Sequence, residues 1–297
     1  MGQQVAIQGP ARQVLSLGDM TNEEEIISKD GTKLHVRTWL PVGIPRAIVV
    51  LVHGLKAHSG LYEWPATQLA NAGFAAYAVD LRGHGKSGGE RLYAATISEY
   101  VDDVRAIVKH AKMHHGQPMF MLGHSAGGVI ACAYALEDQH ELAGLICESF
   151  ALEVPASRVT LALLKGVARI APHLGVFKLK DEHFSRDPAF VDQMKNDPLI
   201  PRSGYPAQTI AELARTDERL HTELAQITIP VLVLHGTEDH VTLPSGSKHF
   251  GAIGGSHDKT LTLYQGHFHD LLNDVGKEDV LGDVIDWLQA HLVLRAA

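Results

Sequence analysis

Runs of apolar residues, many of them β-branched, recur along the chain and predict buried strands. Ala47 to His53 (AIVVLVH) is a continuous run, as expected for a strand that is covered on both faces. Similar runs follow at Phe74 to Val79, Met119 to Leu122, Leu142 to Cys147, Val231 to Leu234 and Thr260 to Tyr264. Upstream of them, the segment Glu25 to Leu40 predicts a hairpin around Asp30-Gly31.

Helical patterns of apolar residues lie between most of these predicted strands. They cover Tyr62 to Asn71, Ile97 to His114, Ala126 to Leu136 and Asp279 to Leu292. Strands that alternate with helices in this way predict a mostly parallel central sheet with helices on both faces.

The segment from Ser149 to Ile229 interrupts this alternation and contains no strand-like run. It begins with a helix-like aliphatic stripe from Val159 to Leu174, and a segment that we interpret as loop-rich, with Pro188, Pro198, Pro201 and Pro206, follows it. An insertion between two strands would lie over the carboxyl ends of the sheet, where open α/β sheets bind ligands. We therefore predict a core of residues 1–150 and 216–297 and a lid of residues 151–215.

Composition and charge narrow the class of protein. The chain has 297 residues, of which 45% are hydrophobic, and its 26 basic and 34 acidic residues give a net charge of −8. Without a long basic run, this balance argues against a nucleic-acid partner. We expect no signal peptide, no transmembrane segment, reduced thiols at Cys132 and Cys147, and a cytoplasmic location with possible peripheral contact with membranes.

One short motif carries candidate chemistry. Gly123-His124-Ser125-Ala126-Gly127 matches G-x-S-x-G, and it directly follows a predicted strand and precedes a predicted helix. In that context the serine lies on a strained turn at a helix N-terminus, where the backbone favours developing negative charge. Ser125 is therefore the candidate nucleophile.

A serine hydroxyl needs a base, and the order Ser, acid, His places both partners later in the chain. The strand from Val231 runs into a turn that contains Glu238 and Asp239, and the strand from Thr260 runs into a turn that contains His267 and His269. Both turns should lie at the same sheet edge as Ser125. Spacing alone does not separate Asp239 from Glu238, or His269 from His267.

The third requirement is an oxyanion hole made of two backbone N–H groups. One donor should be Ala126, which follows the nucleophile. The other should come from the loop after the first long strand, His53-Gly54-Leu55-Lys56-Ala57-His58-Ser59-Gly60, and we assign it to Leu55. His53 is interpreted as a structural residue of that loop.

Two further features receive a structural interpretation. The glycine-rich loop Asp80 to Ser87 lacks the known phosphate-binding patterns. His110, His114 and His115 have helical spacing, but no carboxylate or cysteine stands at a supporting position in the sequence, so we interpret them as an exposed helix end. We accordingly expect neither a metal nor a cofactor.

The chain resembles the monoacylglycerol lipase family of the α/β-hydrolase superfamily in several blocks that appear in order. They are His53 to Gly60, Asp80 to Ser87, Gly123 to Gly127, Asn196 to Ile200, His235 to Asp239 and Tyr264 to His269. The resemblance runs from about residue 25 to residue 292. Two residues depart from the family pattern: Ala126, where the family often has methionine, and Lys56, where a small residue is common. Neither removes a backbone donor, but both affect the shape expected for the acyl pocket.

The resemblance implies an α/β-hydrolase fold, a cofactor-free serine hydrolase and a Ser-His-Asp triad of Ser125, His269 and Asp239. It implies a lipid ester as the small-molecule substrate, with a monoacylglycerol first and other carboxylic esters or lysophospholipids as alternatives. Leu163, Leu164 and Val167 of the lid are the candidate acyl contacts, and the lid could also touch a lipid surface. A peptidase, an acyltransferase or a non-enzymatic receptor of the same fold are the rival hypotheses.

Overall fold

The computed structural model describes residues 21–296, with side chains described up to residue 292. Its main feature is one eight-stranded sheet with the order β1-β2-β4-β3-β5-β6-β9-β10. All neighbours pair in parallel except β1 with β2 and β2 with β4. The strands are β1 Thr21–Ile27, β2 Lys33–Trp39, β3 Ala47–Val52, β4 Phe74–Val79, β5 Met119–His124, β6 Gly144–Glu148, β9 Val231–Gly236 and β10 Lys259–Tyr264.

Helices cover both faces of this sheet, so the predicted fold class is confirmed. Alternate residues of β3 point to opposite faces, as the period of a strand requires. Val50 packs in the cluster that contains helices α2 and α3, whereas Val49 packs in the cluster that contains α1 and α8. The helices are α1 Glu63–Asn71, α2 Ile97–His114, α3 Ala126–Asp138, α4 Arg158–Ile170, α5 Pro188–Asn196, α6 Ala207–Glu223, α7 Pro244–Ile253 and α8 Lys277–Ala296.

The segment between β6 and β9 departs from the sequence-based expectation in two respects. It contains a small two-stranded sheet of β7 Gly175–Phe177 and β8 Tyr205–Pro206, although no strand was expected there. Pro188, interpreted as loop, instead begins α5, and Asp187 caps the helix by accepting a hydrogen bond from the N–H of Ala189 at 2.9 Å. Proline suits the first helical turn because that N–H has no partner within the helix.

Helix α6 passes through the predicted boundary at residue 215. Its early residues Ala207 and Ala211 pack against α4, and its later residue Leu220 packs in the core next to the sheet. The same helix therefore supports the insertion and joins it to the core. The division into a lid of 151–215 and a two-part core stays a prediction.

A helix can cross a membrane only if it is long and apolar enough. Within residues 21–296, none of the helices is long and apolar enough to traverse a bilayer.

Candidate active site

Ser125 lies on the turn between β5, which ends at His124, and α3, which begins at Ala126. Its backbone has φ 56° and ψ −122°, in the left-handed half of conformational space that a non-glycine residue occupies at a cost of about 1–3 kcal/mol. The turn is held by the N–H of Ser125, which donates to the Glu148 carbonyl at 2.9 Å. This backbone is the strained turn that the motif predicted.

Glycines let neighbouring backbone approach this turn. A Cβ at Gly127 would lie 2.1 Å from the carbonyl oxygen of Val52, and one at Gly54 would lie 2.7 Å from Cβ of Ser125. Neither contact is possible, so both positions require glycine. The turn at Ser125 is therefore packed directly against the end of β3 and the loop that follows it.

The turns after β9 and β10 bring one acid and one histidine together. His269 Nδ1 and Asp239 Oδ2 are hydrogen-bonded at 2.8 Å, and both residues are buried. Glu238 is exposed, and His267 lies 3.7 Å from Asp274 instead. The structure thus pairs Asp239 with His269, the two residues that the family resemblance selected.

Asp239 has further partners that the sequence analysis missed. Its carboxylate accepts hydrogen bonds from the N–H of Val241 at 2.7 Å and from the hydroxyl of Thr242 at 2.8 Å, and His235 Nε2 lies 3.1 Å from its Oδ2. Burial acts to raise the pKa of Asp239, but His269 and His235 outweigh it and hold that pKa well below its usual range. Asp239 is therefore ionised. The spacing of Thr242, three residues after the acid, is a signal that could have identified it.

The second ring nitrogen of His269 is free to accept a proton. Nε2 is buried and makes no hydrogen bond within residues 21–296. Because Nδ1 donates to Asp239, Nε2 carries the lone pair. His124, which precedes Ser125, has its ring centroid 4.8 Å from that of His269. Nε2 of His269 is therefore not hydrogen-bonded to Ser125 in this structure. The hydrogen bond between a serine and its base often tightens only in the substrate complex.

A second buried cluster adjoins these residues. His124, Glu148 and Asp270 each offer a polar atom within 4.8 Å of the others. Burial and the charge of Asp270 raise the pKa of Glu148 well above its usual value, while burial and His269 lower the pKa of His124. Both shifts favour the neutral forms of Glu148 and His124 beside His269. No sequence pattern indicated Glu148, since it lies at the end of an apolar strand.

The loop after β3 is anchored at both ends. His53 bonds the carbonyl of Gly54 through Nδ1 at 2.7 Å and accepts from the N–H of Leu81 through Nε2 at 2.9 Å, so its role is structural. Leu55 is half-buried. Lys56 has φ 60°, and its ammonium pairs with Asp181 at 2.8 Å. This ion pair joins the loop to the insertion.

The three lid residues named from the sequence do not share one environment. Leu164 and Val167 pack toward α6, where Ala207 and Ala211 are buried. Leu163 is 68% exposed. Other exposed apolar side chains of this region are Val159, Ile170, Leu174, Val176 and Phe177. The stripe of α4 is therefore divided between an inner face on α6 and an outer apolar face.

Comparison with known proteins gives consistent matches over most of the chain. The family described as serine aminopeptidase, S33, matches residues 43–276. The monoacylglycerol lipase of Mycolicibacterium smegmatis is 33% identical over 274 residues, which cover 91% of this chain and 98% of that protein. The human monoglyceride lipase is 34% identical over 250 residues, covering 83% and 82% respectively.

A solved structure agrees with these sequence matches. The crystal structure of the Paleococcus ferrophilus monoacylglycerol lipase superposes with a TM-score of 0.79 at 32% identity, covering 87% of this chain and 99% of that one. The fold, the sequence matches and the geometry of the site all indicate the same family. The chain belongs to the monoacylglycerol lipase-like members of the serine aminopeptidase S33 family of α/β-hydrolases, and it is an ester hydrolase.

Proposed function

We propose that the protein is a monoacylglycerol lipase that releases a fatty acid and glycerol by a Ser-His-Asp mechanism. The observation that carries the proposal is the 2.8 Å hydrogen bond between Asp239 and His269, with Nε2 of His269 left unpaired within residues 21–296. An ionised acid on Nδ1 fixes the tautomer in which Nε2 is the base.

The proposed reaction uses Ser125, His269 and Asp239 in these roles. The Ser125 hydroxyl attacks the ester carbonyl while His269 Nε2 takes its proton and then passes that proton to the leaving alcohol. A water molecule then gives a proton to the same nitrogen and attacks the acyl carbon, and His269 passes that proton to the Ser125 oxygen as the fatty acid leaves. Asp239 remains ionised and stabilises the imidazolium that forms. No metal or cofactor has a part in this scheme.

The backbone N–H groups of Leu55 and Ala126 are the proposed oxyanion donors. Ala126 is the first residue of α3, where the N–H groups at the helix end lack partners within the helix. The close approach of Gly54 to Ser125 supports placing the Leu55 N–H on the other side of the carbonyl oxygen. One such donor contributes about 3–4 kcal/mol to transition-state stabilisation.

The substrate class is tested by an activity profile over p-nitrophenyl esters and monoacylglycerols of increasing acyl length. If the acyl chain lies under the lid, each added methylene should contribute about 0.8 kcal/mol, or about fourfold in kcat/KM, until the site is filled. Lysophospholipids and aminoacyl p-nitroanilides complete the panel. Preferential turnover of an anilide would replace the lipase proposal with a peptidase, and a flat profile would indicate a general carboxylesterase.

We expect the Lys56–Asp181 ion pair to position the oxyanion loop. The backbone N–H of Lys56 also donates to the hydroxyl of Tyr205, so two lid residues hold the residue next to Leu55. Asp181→Asn keeps the shape of the side chain but weakens the hold on Lys56. It should lower kcat on a soluble ester about tenfold, with little change in KM. This corresponds to a loss of about 1.4 kcal/mol of transition-state stabilisation, less than the whole contribution of one oxyanion donor.

The matched control for this prediction is Arg202→Gln. Arg202 contacts the same carboxylate at 3.2 Å but is more exposed than Lys56, and exposed ion pairs contribute little. Its loss should leave kcat unchanged. Wild-type kcat in Asp181→Asn would show that the ion pair does not position the loop.

We also propose that the outer apolar face of α4 contacts lipid surfaces. Leu163 and Ile170 lie 68% and 89% exposed on it, and an amphipathic helix of this kind binds at a membrane interface. Leu163→Asp should lower turnover of monoacylglycerol in vesicles about tenfold or more, from the loss of about 1.5–3 kcal/mol of apolar burial. Activity on dissolved p-nitrophenyl acetate should not change.

Leu164→Asp provides the comparison for the lid. Leu164 packs toward α6, so a carboxylate there should lower the melting temperature and affect every substrate together. Equal losses on vesicles and on acetate ester in Leu163→Asp would contradict lipid contact.

A cytoplasmic location belongs to the same proposal, and it is supported by the two free thiols, Cys132 and Cys147, whose sulfurs lie 3.7 Å apart.

A further inference from the structure

Three potential metal ligands meet at the C-terminal end of α2. His110 and His114 are four residues apart and share one face of the helix. Glu24 of β1 faces them, because α2 packs against that strand. Each side chain offers one ligand atom, and these atoms all lie within 4.8 Å of one another. The carboxylate that the sequence around the histidines lacks is thus supplied by a strand more than 80 residues earlier.

The separations suit a small divalent ion. His110 Nε2 and Glu24 Oε2 are 3.5 Å apart, close to the spacing of about 3.4 Å between ligands in a tetrahedral zinc site with bonds of about 2.1 Å. The rings of His110 and His114 have centroids 4.8 Å apart and planes inclined by 66°. His114 is exposed, so rotation of its side chain can bring its ring nitrogen to the same distance.

His110 gives an independent sign of a ligand. The residue is only 9% exposed, and its Nε2 is buried without a hydrogen-bond partner among the described residues. A buried polar atom of this kind normally has a partner. The unpaired Nε2 of His110 is therefore available to bind a metal ion.

Glu24 is held in the orientation that the site needs. Its Oε1 accepts a hydrogen bond from the side-chain amide of Asn22 at 3.0 Å, which leaves Oε2 on the side of His110. Support of this kind orients the ligands of protein metal sites.

We propose that Glu24, His110 and His114 form a site for Zn²⁺ or a similar borderline divalent ion. Two imidazoles and one carboxylate are a ligand set that zinc favours, with water completing the coordination. The ion would join β1, the edge strand of the sheet, to α2. Because α2 ends just before β5 begins and Ser125 follows the end of β5, the length of that strand separates the site from the proposed catalytic residues. Its role is therefore structural.

The test uses full-length protein without a histidine tag, freed of metal with a chelator. Zn²⁺ is titrated by calorimetry, and Co²⁺ is followed by its visible absorption bands. We expect one Zn²⁺ per chain at this site and a higher melting temperature when Zn²⁺ is present, because an ion that binds only the folded state stabilises it. His114→Ala and Glu24→Gln change accessible side chains and should each weaken Zn²⁺ binding at least tenfold and remove the thermal shift.

His140→Ala is the matched control. His140 is an exposed histidine beside an acidic residue, Glu141, at 3.2 Å, and it lies outside the cluster. This variant should bind Zn²⁺ as the wild type does. Unchanged affinity and thermal shift in both His114→Ala and Glu24→Gln would overturn the proposal, as would an equal loss in His140→Ala. Ester hydrolysis by metal-free His114→Ala should equal that of metal-free wild type, which separates this site from the proposed reaction.

Discussion

Replacing Ser125 with alanine is expected to lower kcat for ester hydrolysis by at least about 1,000-fold. The change removes only the attacking oxygen, and losing the nucleophile of a serine hydrolase costs about 10⁶-fold in the best-studied example. Labelling by a fluorophosphonate should disappear as well, because the label forms its bond with that oxygen. Both are measured on purified protein with a soluble p-nitrophenyl ester.

Ser149→Ala is the control for this experiment. Ser149 directly follows the neighbouring strand β6, is buried, and also has a positive φ, of 45°. Its hydroxyl makes no hydrogen bond within the described residues, so its removal should leave activity and labelling intact. Residual activity of Ser125→Ala above about one part in 1,000, with an unchanged melting temperature, would show that another group is the nucleophile.

The strands of the sheet could be predicted because buried strands have a simple hydrophobic pattern in the sequence. A strand covered on both faces is apolar at every position, so β3 and β4 are visible as uninterrupted runs. The turn at Ser125, between β5 and α3, could be predicted for a related reason. Glycines are needed wherever backbone approaches backbone, and Gly123 and Gly127 frame the turn in the sequence.

The insertion was predicted less well because its elements are short and depend on contacts. β7 and β8 have three and two residues, too few to show a period of two. Pro188 was taken for a loop residue, although a proline at the first helical position is favourable. The lack of strand-like runs predicts an insertion, whose bounds stay a prediction, but it does not predict the internal structure of the segment.

Contacts between distant residues could not be predicted from a single sequence. Lys56 and Asp181 are 125 residues apart, and nothing local to either indicates the other. The same holds for Glu24 and His110, whose contact depends on α2 packing against β1. Pairs of this kind arise from the topology of the sheet, which fixes which elements become neighbours.

The two histidines of the turn after β10 give the second large expected effect. His269→Ala should lower kcat about as much as Ser125→Ala does, since nucleophile and base act as a unit and their losses are not additive. The structural reason is that His269 holds Nδ1 on Asp239 and leaves Nε2 unpaired within the described residues. Both ring nitrogens of His235, the other histidine beside Asp239, have partners. The double variant should therefore be no worse than either single variant.

His267→Ala is the comparison that separates the two histidines. His267 lies two residues away in the same turn, is only half-buried, and is near Asp274 rather than Asp239. The His267→Ala variant should retain most of the activity, with at most a small drop in melting temperature.

The two acids of the turn after β9 are expected to differ in the same way. Asp239→Asn should lower kcat about 10⁴-fold by favouring the wrong tautomer of His269, whereas exposed Glu238→Gln should have little effect. A large loss in His267→Ala with an active His269→Ala would show that the base lies two residues earlier than proposed.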